Sequence, residues 1–236
     1  MEDIDRDYRE GCRSYYYQTD QGAPRTKAEE IFSSLIKKEP AHHQSYNMLG
    51  MCFMTARENR KALEMFQSAI DIEPRGVYYL NKGIVLAQEQ ELQKAEEALE
   101  KAVELDGMDP SSRYNLGIVQ HFSGKLDEAI YSWNEVLTMA PNYEDLHSRL
   151  ALALAESGDT EEAVDVLLKG VGQFPHDTEM HINLSRLLEN TERFGEAVEL
   201  WETFLEKNSH KDETTLGKVR EHLEIIRQTT TEETGV

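Results

Sequence analysis

The amino-acid sequence predicts an all-α protein built from stacked helix pairs, and three observations support that prediction. Alanines recur every 34 residues, with one interval of 33, at positions Ala28, Ala62, Ala95, Ala129, Ala163 and Ala197. A large apolar residue follows each alanine by four residues, and a proline ends most of the intervals. An interval of this length is typical of a repeated supersecondary unit that stacks on its neighbours because it cannot bury its apolar face alone.

The first helix of each pair is marked by a small residue near its middle. Gly50, Gly83 and Gly117 hold this position in three pairs, and Ala151 and Ser185 hold it in two later ones. Glycine inside a helix costs about 1 kcal/mol relative to alanine. A close approach of the neighbouring helix backbone is the physical reason to keep a small residue there.

The second helix of each pair carries the repeated alanine near its start and a large side chain one turn later, on the same face. These large side chains fill the predicted core: Phe32, Phe66, Leu99, Trp133, Leu167 and Trp201. Pro40, Pro74, Pro141 and Pro175 end second helices, since proline cannot continue a helix. Gly124 and Gly158 mark the turns between the two helices of their pairs.

These positions agree in register with the pattern Trp-x₂-Leu-Gly-x₂-Tyr, then Ala-x₃-Phe, then Pro, so the sequence resembles the tetratricopeptide repeat (TPR) family. The segment from Tyr46 to Phe53, followed by Ala62, Phe66 and Pro74, matches most fully. The resemblance implies a right-handed superhelical solenoid of about six TPR helix–turn–helix units. It divides the chain into repeats at 9–42, 43–75, 76–109, 110–143, 144–177 and 178–211.

The N-terminal end departs from this pattern. Residues 1–8 are an acidic lead-in, and the repeat at 9–42 is atypical because Tyr16 stands in the small-residue position. Its turn contains Gly22-Ala23-Pro24. We interpret this repeat as a terminal cap, since terminal units of such arrays are often atypical.

The C-terminal end divides into two segments. Leu216, Val219, Leu223 and Ile226 recur at three- and four-residue steps, which predicts an amphipathic helix over residues 212–228. We expect it to cap the last repeat by covering apolar surface, and binding a partner is the alternative. Residues 229–236 are polar and without periodicity, so we expect disorder there.

The charge of the chain excludes several kinds of partner. With 25 Lys+Arg against 45 Asp+Glu the net charge is −20, which disfavours nucleic acid and anionic membrane surfaces. No apolar run is long enough for insertion into a bilayer. The acidic start lacks the basic and apolar regions of a signal peptide. Two cysteines exclude a disulfide framework, and we expect a cytoplasmic protein.

Catalytic or cofactor-binding patterns are not found. There is no glycine-rich phosphate loop, no nucleophile motif and no cysteine or histidine cluster at metal-ligand spacing, so we expect no enzymatic activity, cofactor or metal. His147 and His181 lie 34 residues apart, in the position where the TPR pattern has tryptophan. We interpret them as packing residues, because a metal site would need further ligands from elsewhere.

A concave groove is the remaining functional surface. In TPR arrays the first helices line it, and the family resemblance places repeat positions 2, 5, 9, 12 and 13 toward it. Its centre is rich in Met, Leu, Ile, Tyr and Phe, as expected of a surface that binds an apolar segment. The residues selected as a partner-binding groove are Asn47, Met51, Met54, Val77, Leu80, Ile84, Gln88, Tyr114, Ile118, His121, Phe122 and Arg186.

Some of these residues could instead pack helix against helix, and for Ile84 and Ile118 both interpretations stay open. One TPR subclass, the carboxylate-binding co-chaperones, uses a Lys/Asn/Asn/Lys/Arg clamp. The matching positions here lack its cations, so we exclude that function. The residues at these matching positions are Asn47, Met51, Asn81, Ser111 and Asn115.

The leading hypothesis is a non-catalytic adaptor or scaffold that binds an apolar or amphipathic peptide segment of a partner protein, with basic flanks of that peptide meeting the acidic rim. The first alternative is a self-assembling scaffold that forms a homo-oligomeric coat or platform, against which a charge of −20 weighs. A lesser alternative is a regulatory subunit of an enzyme complex.

Overall fold

The computed structural model describes residues 2–20, 26–143 and 145–234, and within these ranges it consists of α-helices and connecting turns without strands. The predicted all-α helical-repeat fold is confirmed. The thirteen described helices are α1 Glu2–Asp20, α2 Thr26–Lys38, α3 His43–Thr55, α4 Asn59–Ile72, α5 Gly76–Gln88, α6 Leu92–Leu105, α7 Pro110–Phe122, α8 Leu126–Met139, α9 Leu146–Ser157, α10 Thr160–Gln173, α11 Thr178–Asn190, α12 Phe194–Lys207 and α13 Glu213–Thr234.

The chain forms two compact units. The N-terminal unit comprises Met1–Met139 and the C-terminal unit comprises Ala140–Val236. In the N-terminal unit each helix from α1 to α8 packs on the next, and α3 also contacts α5, as α5 contacts α7. In the C-terminal unit α9 to α13 pack in the same successive manner. Each unit is therefore a stack of helix pairs.

The small residues of the first helices lie against the large side chains of the second helices. A Cβ atom on Gly50 would come within 2.6 Å of the Phe66 ring, and one on Gly83 within 2.6 Å of Leu99. At Gly117 a Cβ would overlap the indole of Trp133, whose Nε1 donates to the Tyr114 carbonyl at 3.2 Å. Such distances leave no room for a methyl group, because the backbone of one helix is in direct contact with a large side chain of the other.

In the C-terminal unit the equivalent position tolerates a slightly larger residue. Ser185 is 1% exposed, and its hydroxyl accepts a hydrogen bond from Nε1 of Trp201 at 2.7 Å. Ala151 is likewise buried. The hydroxyl of Ser185 satisfies an indole N–H that burial would otherwise leave without a partner.

The first repeat uses a different small residue from the one that the sequence predicts. Tyr16 is 58% exposed, and Gly11 faces the core instead, where a Cβ would lie 2.7 Å from Cε1 of Phe32. The interpretation of Tyr16 as the residue in the small position is wrong. Gly11 precedes Phe32 by 21 residues, whereas Gly50 precedes Phe66 by 16, and most of the difference lies in α1, which continues nine residues past Gly11 while α3 continues five past Gly50.

The ends of the array also differ in detail from the predicted bounds. Helix α1 begins at Glu2, so most of the lead-in predicted over residues 1–8 belongs to the first helix. The turn expected at residues 22–24 lies outside the described residues. Helix α13 continues to Thr234, so the disorder predicted from residue 229 is corrected for residues 229–234.

Helix α13 packs on α12 through the apolar side chains that recur in its sequence. Leu216, Val219, Leu223 and Ile226 are each at most 5% exposed. Arg227 forms an ion pair with Glu202 of α12 at 2.6 Å. The amphipathic face of this helix is therefore covered within the chain.

The turns between first and second helices share one left-handed residue. Positive φ angles occur at Arg57, Gln90, Gly124, Gly158 and Glu192, at 60°, 62°, 76°, 99° and 59°. The residue that follows each of these donates its N–H to a carbonyl five residues earlier in the first helix. For example, the Glu91 N–H donates to the Leu86 carbonyl at 2.9 Å. This is the Schellman arrangement, in which glycine is preferred because the left-handed region strains a side chain.

The two histidines in the tryptophan position are packing residues of the C-terminal unit, as their spacing predicts. His147 and His181 are each 4% exposed, and His181 packs edge-on against Phe204 with ring centroids 4.8 Å apart. Burial lowers the pKa of both imidazoles below the ordinary value. The Nδ1 of His181 lies 2.6 Å from the Asp177 carbonyl, whereas Nδ1 of His147 is buried without a described hydrogen-bond partner.

Glycine at a left-handed turn position should stabilise the N-terminal unit. Arg57 is exposed, and an L-residue in the left-handed region costs about 1–2 kcal/mol. We expect Arg57→Gly to raise the free energy of unfolding by about 1 kcal/mol. Gly124→Ala should lower it by a similar amount, since a Cβ there would meet no atom within 4 Å and only the φ of 76° opposes it.

Urea unfolding followed by circular dichroism measures both changes. The matched control is Arg60→Gly, at an exposed site in the first turn of α4, which should destabilise by up to about 1 kcal/mol because helical glycine is unfavourable. If Arg57→Gly and Arg60→Gly destabilised equally, the left-handed turn would not be strained.

The buried histidines should make the C-terminal unit less stable in mild acid. Their folded-state pKa values are lowered, so below about pH 6.5 the unfolded chain binds protons that the folded chain does not. Stability is therefore complete above that pH and falls as the pH decreases. Thermal melts of the full chain at a series of pH values, with His147→Asn and His181→Asn as non-titrating variants, should show flatter pH dependence in the variants. Equal slopes would contradict this linkage.

Candidate functional site

The predicted groove residues fall in both units. Eleven of them lie on α3, α5 and α7 of the N-terminal unit, while Arg186 lies on α11 of the C-terminal unit. The eleven residues of the N-terminal unit thus lie on three first helices.

Local sequence determines where α7 begins. Asp109 accepts hydrogen bonds from the N–H groups of Ser111 at 3.1 Å and Ser112 at 2.9 Å, and Pro110 occupies the first helical position. An N-cap of this kind satisfies the free N–H groups of the first turn, and proline is favoured next to it. The cap fixes the start of the helix that carries Tyr114, Ile118 and Phe122.

An apolar cavity of about 290 Å³ lies between α5, α6 and α7, and we call it the notch. None of its lining residues is charged. Four predicted groove residues line it, namely Ile84, Gln88, Ile118 and Phe122. The full lining is Ile84, Ala87, Gln88, Gln90, Leu92, Leu99, Asn115, Ile118, Val119 and Phe122. The structure thus brings the central part of the predicted groove together.

Phe122 is the most accessible apolar residue of the notch. Its side chain is 69% exposed, at the C-terminal end of α7, and its ring contacts His121 edge-on with centroids 5.9 Å apart. Ile84 and Ile118 are half-buried. Because Ile84 also packs against the core of α5, α6 and α7, it both supports the notch and lines it.

Six of the ten lining residues are not among the predicted groove residues, and two of the six, Gln90 and Leu92, lie outside both the first helices and the predicted core. Gln90 lies in the turn after α5 at φ 62°, and Leu92 begins α6. Neither is on the first-helix face from which the groove residues were chosen. The left-handed φ of Gln90 turns the chain sharply enough for Leu92 to contribute to the same cavity, and no periodic signal in the sequence marks this.

Other predicted groove residues lie below the surface. Leu80 belongs to the core of α5, α6 and α7, and Asn47 is 8% exposed. The Nδ2 of Asn81 donates to Oδ1 of Asn47 at 2.9 Å, which joins α3 to α5. These amides are used in holding neighbouring repeats together.

The remaining predicted residues of the N-terminal unit do not line the notch. Met51 and Met54 are partly buried against Phe66, and Val77 is 48% exposed. Tyr114 and His121 are half-buried, with the His121 ring 5.7 Å from that of Trp133. These five side chains are apolar or aromatic and lie on the same three first helices.

Arg186 lines a second cavity, of about 570 Å³, within the C-terminal unit. Its lining mixes carboxylates, guanidinium groups and amides, in contrast to the uncharged notch. Helices α9 and α11 supply most of these side chains. The two units thus present concave surfaces of different chemistry.

No group of three or more His, Cys, Asp or Glu side chains suited to a metal ion occurs in the part of the chain that the structure describes. Across residues 2–20, 26–143 and 145–234, no helix combines the length and apolar character needed to cross a bilayer.

Comparison with known proteins shows the family of the repeats. Three models described as tetratricopeptide repeat match residues 43–75, 80–144 and 123–187, together more than half of the chain. The mitochondrial import receptor subunit TOM70 of Mus musculus is 28% identical over 140 residues, a match that covers 58% of this chain and 23% of the receptor. The chain therefore aligns with less than a quarter of that relative's length.

Two solved structures share the fold at low sequence identity. PilF of Pseudomonas aeruginosa superposes with a TM-score of 0.71 at 16% identity, over 93% of this chain and 99% of that one. YrrB, described as a TPR protein with an unusual peptide-binding site, superposes with a TM-score of 0.65 at 17% identity, over 82% of this chain and 99% of that one. Both likenesses concern the helical-repeat architecture.

Proposed function

We propose that this chain, which belongs to the tetratricopeptide repeat family, is a non-catalytic adaptor whose notch binds an apolar segment of a partner protein. The observation that carries this proposal is the notch itself. In a chain with a net charge of −20, ten side chains from three helices and the turn between two of them form a concave surface without a charge. Uncharged concave patches of this kind on an otherwise charged surface are typical of binding sites.

The size of the notch favours an anchoring side chain over a free small molecule. At about 290 Å³ it is at the lower limit of the cavities that hold drug-sized ligands. A single large aliphatic or aromatic side chain of a partner fits better, since protein interfaces depend on a few such anchors in well-packed pockets. Phe122, at 69% exposure, would lose most of its accessible surface on contact.

Polar groups at the edge of the notch favour a peptide as the occupant. Gln88, Gln90 and Asn115 line the same cavity and carry amides that can pair with a peptide backbone. An amphipathic helix or an extended segment presents apolar anchors at regular spacing with its polar groups at the rim. The described peptide-binding site of YrrB supports a peptide ligand by analogy of fold alone.

Acidic residues beside the notch support a partner segment with basic flanks. Glu89 and Glu91 stand on either side of Gln90 in the turn after α5. Opposite charges at the rim of an interface raise the rate of association more than the affinity. The partner is therefore proposed to carry an apolar anchor with Lys or Arg close to it in sequence.

The cytoplasm is the proposed compartment. Cys12 and Cys52 are not joined by a disulfide in the structure, and Cys52 is buried in the core of α1 to α3. Cysteines that form no disulfide are typical of a reducing compartment.

Partner capture should depend on Phe122. We expect Phe122→Glu to retain the helical circular dichroism of the wild type, because the side chain is exposed. We expect the variant to bind its partner about tenfold or more weakly. A carboxylate at the edge of the apolar notch would have to be desolvated on binding. The measurement is quantitative affinity capture with the wild-type and variant chains as baits, followed by mass spectrometry.

The matched control is Tyr131→Glu. Tyr131 is 62% exposed on α8 and does not line the notch, so the same charge introduced there should leave the captured proteins unchanged. If all three baits retained the same proteins in the same amounts, the notch would not be the binding site. Light scattering over a concentration series separates partner binding from self-assembly, because a self-assembling chain would increase in mass.

A further inference from the structure

The cavity of the C-terminal unit has charged groups arranged along its length. Asp145 precedes α9, and Asp177 and Glu179 lie at the start of α11, so the carboxylates share one end. Arg149 and Arg186 line the cavity further along the same two helices. The cavity therefore has an acidic end followed by a basic stretch.

Helix geometry gives the spacing of these charges. Arg149 follows Asp145 by four residues, which is about 6 Å of helix rise at 1.5 Å per residue. Arg186 follows Glu179 by seven residues, which is about 10 Å. Leu152 and Leu187 are among the remaining lining residues and supply apolar contact beside the charges.

Arg186 differs from the arginines of its unit that form ion pairs. Arg193 pairs with Glu196 at 2.7 Å and Arg227 with Glu202 at 2.6 Å, on the surface. Arg186 is exposed and makes no ion pair among the residues that the structure describes, although acidic residues outnumber basic ones in the chain by 45 to 25. Its guanidinium is thus available to a ligand, with five N–H donors that suit a carboxylate.

We propose that this cavity binds a segment of the partner protein that carries a basic and an acidic side chain about three residues apart. The basic side chain lies against Asp145, Asp177 and Glu179, and the acidic side chain lies against Arg186 and Arg149. A partner segment in the polyproline II conformation has three residues per turn and advances about 3.1 Å per residue, so side chains three residues apart lie on the same side of it and about 9 Å apart, close to the roughly 10 Å between the charged positions of α11. This inference rests on the proposed adaptor function and names a second feature of the same partner.

The charge arrangement excludes simpler ligands. A wholly acidic peptide would meet three carboxylates at one end of the cavity, and a wholly basic one would meet two guanidinium groups in its middle. A segment with both charges satisfies both ends at once. Asn183 and Asn190 also line the cavity, and their amides can hold the backbone of an extended peptide.

Nuclear magnetic resonance titration of the full ¹⁵N-labelled chain tests the proposal with defined probes. The probes are end-blocked peptides, Gly-Lys-Leu-Ala-Glu-Gly and its charge-reversed order Gly-Glu-Leu-Ala-Lys-Gly, with all-acidic and all-basic versions of the same length. We expect at least one mixed-charge peptide to shift the amides of α9 and α11. The two single-charge peptides should bind about tenfold more weakly.

Variants assign the acidic contact to Arg186. Arg186→Glu should lower the affinity for the mixed-charge peptide about tenfold and raise the affinity for the all-basic one. The control Arg220→Glu replaces an arginine that pairs with Glu213 on α13, outside the cavity, and should leave binding unchanged. No shift with either mixed-charge peptide, equal binding of the all-acidic one, or unchanged binding by Arg186→Glu would each overturn the proposal.

Phe122→Glu separates this proposal from the function of the notch. The notch belongs to the N-terminal unit, so peptide shifts on α9 and α11 should persist in this variant. Persistent shifts together with unchanged partner capture would reject the notch as a binding site and leave the proposal for the C-terminal cavity standing. Absent shifts together with lost partner capture would reject the second site alone.

Discussion

The contact between a small residue of each first helix and a large side chain of the paired second helix is the interaction on which the rest of the structure depends. At Gly50 and Gly83 a single added carbon would come within 2.6 Å of Phe66 or Leu99. Because interiors are packed without spare volume, this contact sets both the distance and the rotation of the paired helices. Rotation in turn decides which side chains of α5 and α7 face outward, and so where a concave binding surface can form.

The first repeat shows how strictly this contact is kept. Its two helices do not have the spacing of the others, yet a glycine, Gly11, still lies against Phe32. Tyr16 is left on the surface, and the neighbouring Tyr15 is buried with its hydroxyl 3.4 Å from Thr55 Oγ1 of α3. The chain accommodates a longer first helix more easily than a side chain at the close contact, since overlap in a packed core costs about 1–3 kcal/mol.

The same scaffold carries two different surface chemistries. The notch of the N-terminal unit has an uncharged lining that includes Ile84, Ile118 and Phe122, whereas the cavity of the C-terminal unit contains carboxylates and arginines. Residues outside the close contact and the core are free to vary, because the fold does not depend on them. The large negative charge is therefore a property of the surfaces around the notch, and it leaves the notch lining itself neutral.

The sequence by itself determined the helix pairs, their register from residue 43 onward and four of the notch residues, because a 34-residue period and helical spacing report directly on which face of each helix is buried. Only the tertiary structure decided the rest. It placed Gly11 in the core in preference to Tyr16, buried Leu80 and Asn47, extended α13 to Thr234 and added Gln90 and Leu92 to the notch. A cavity is formed by the packing of several helices, and a periodic pattern describes one helix at a time.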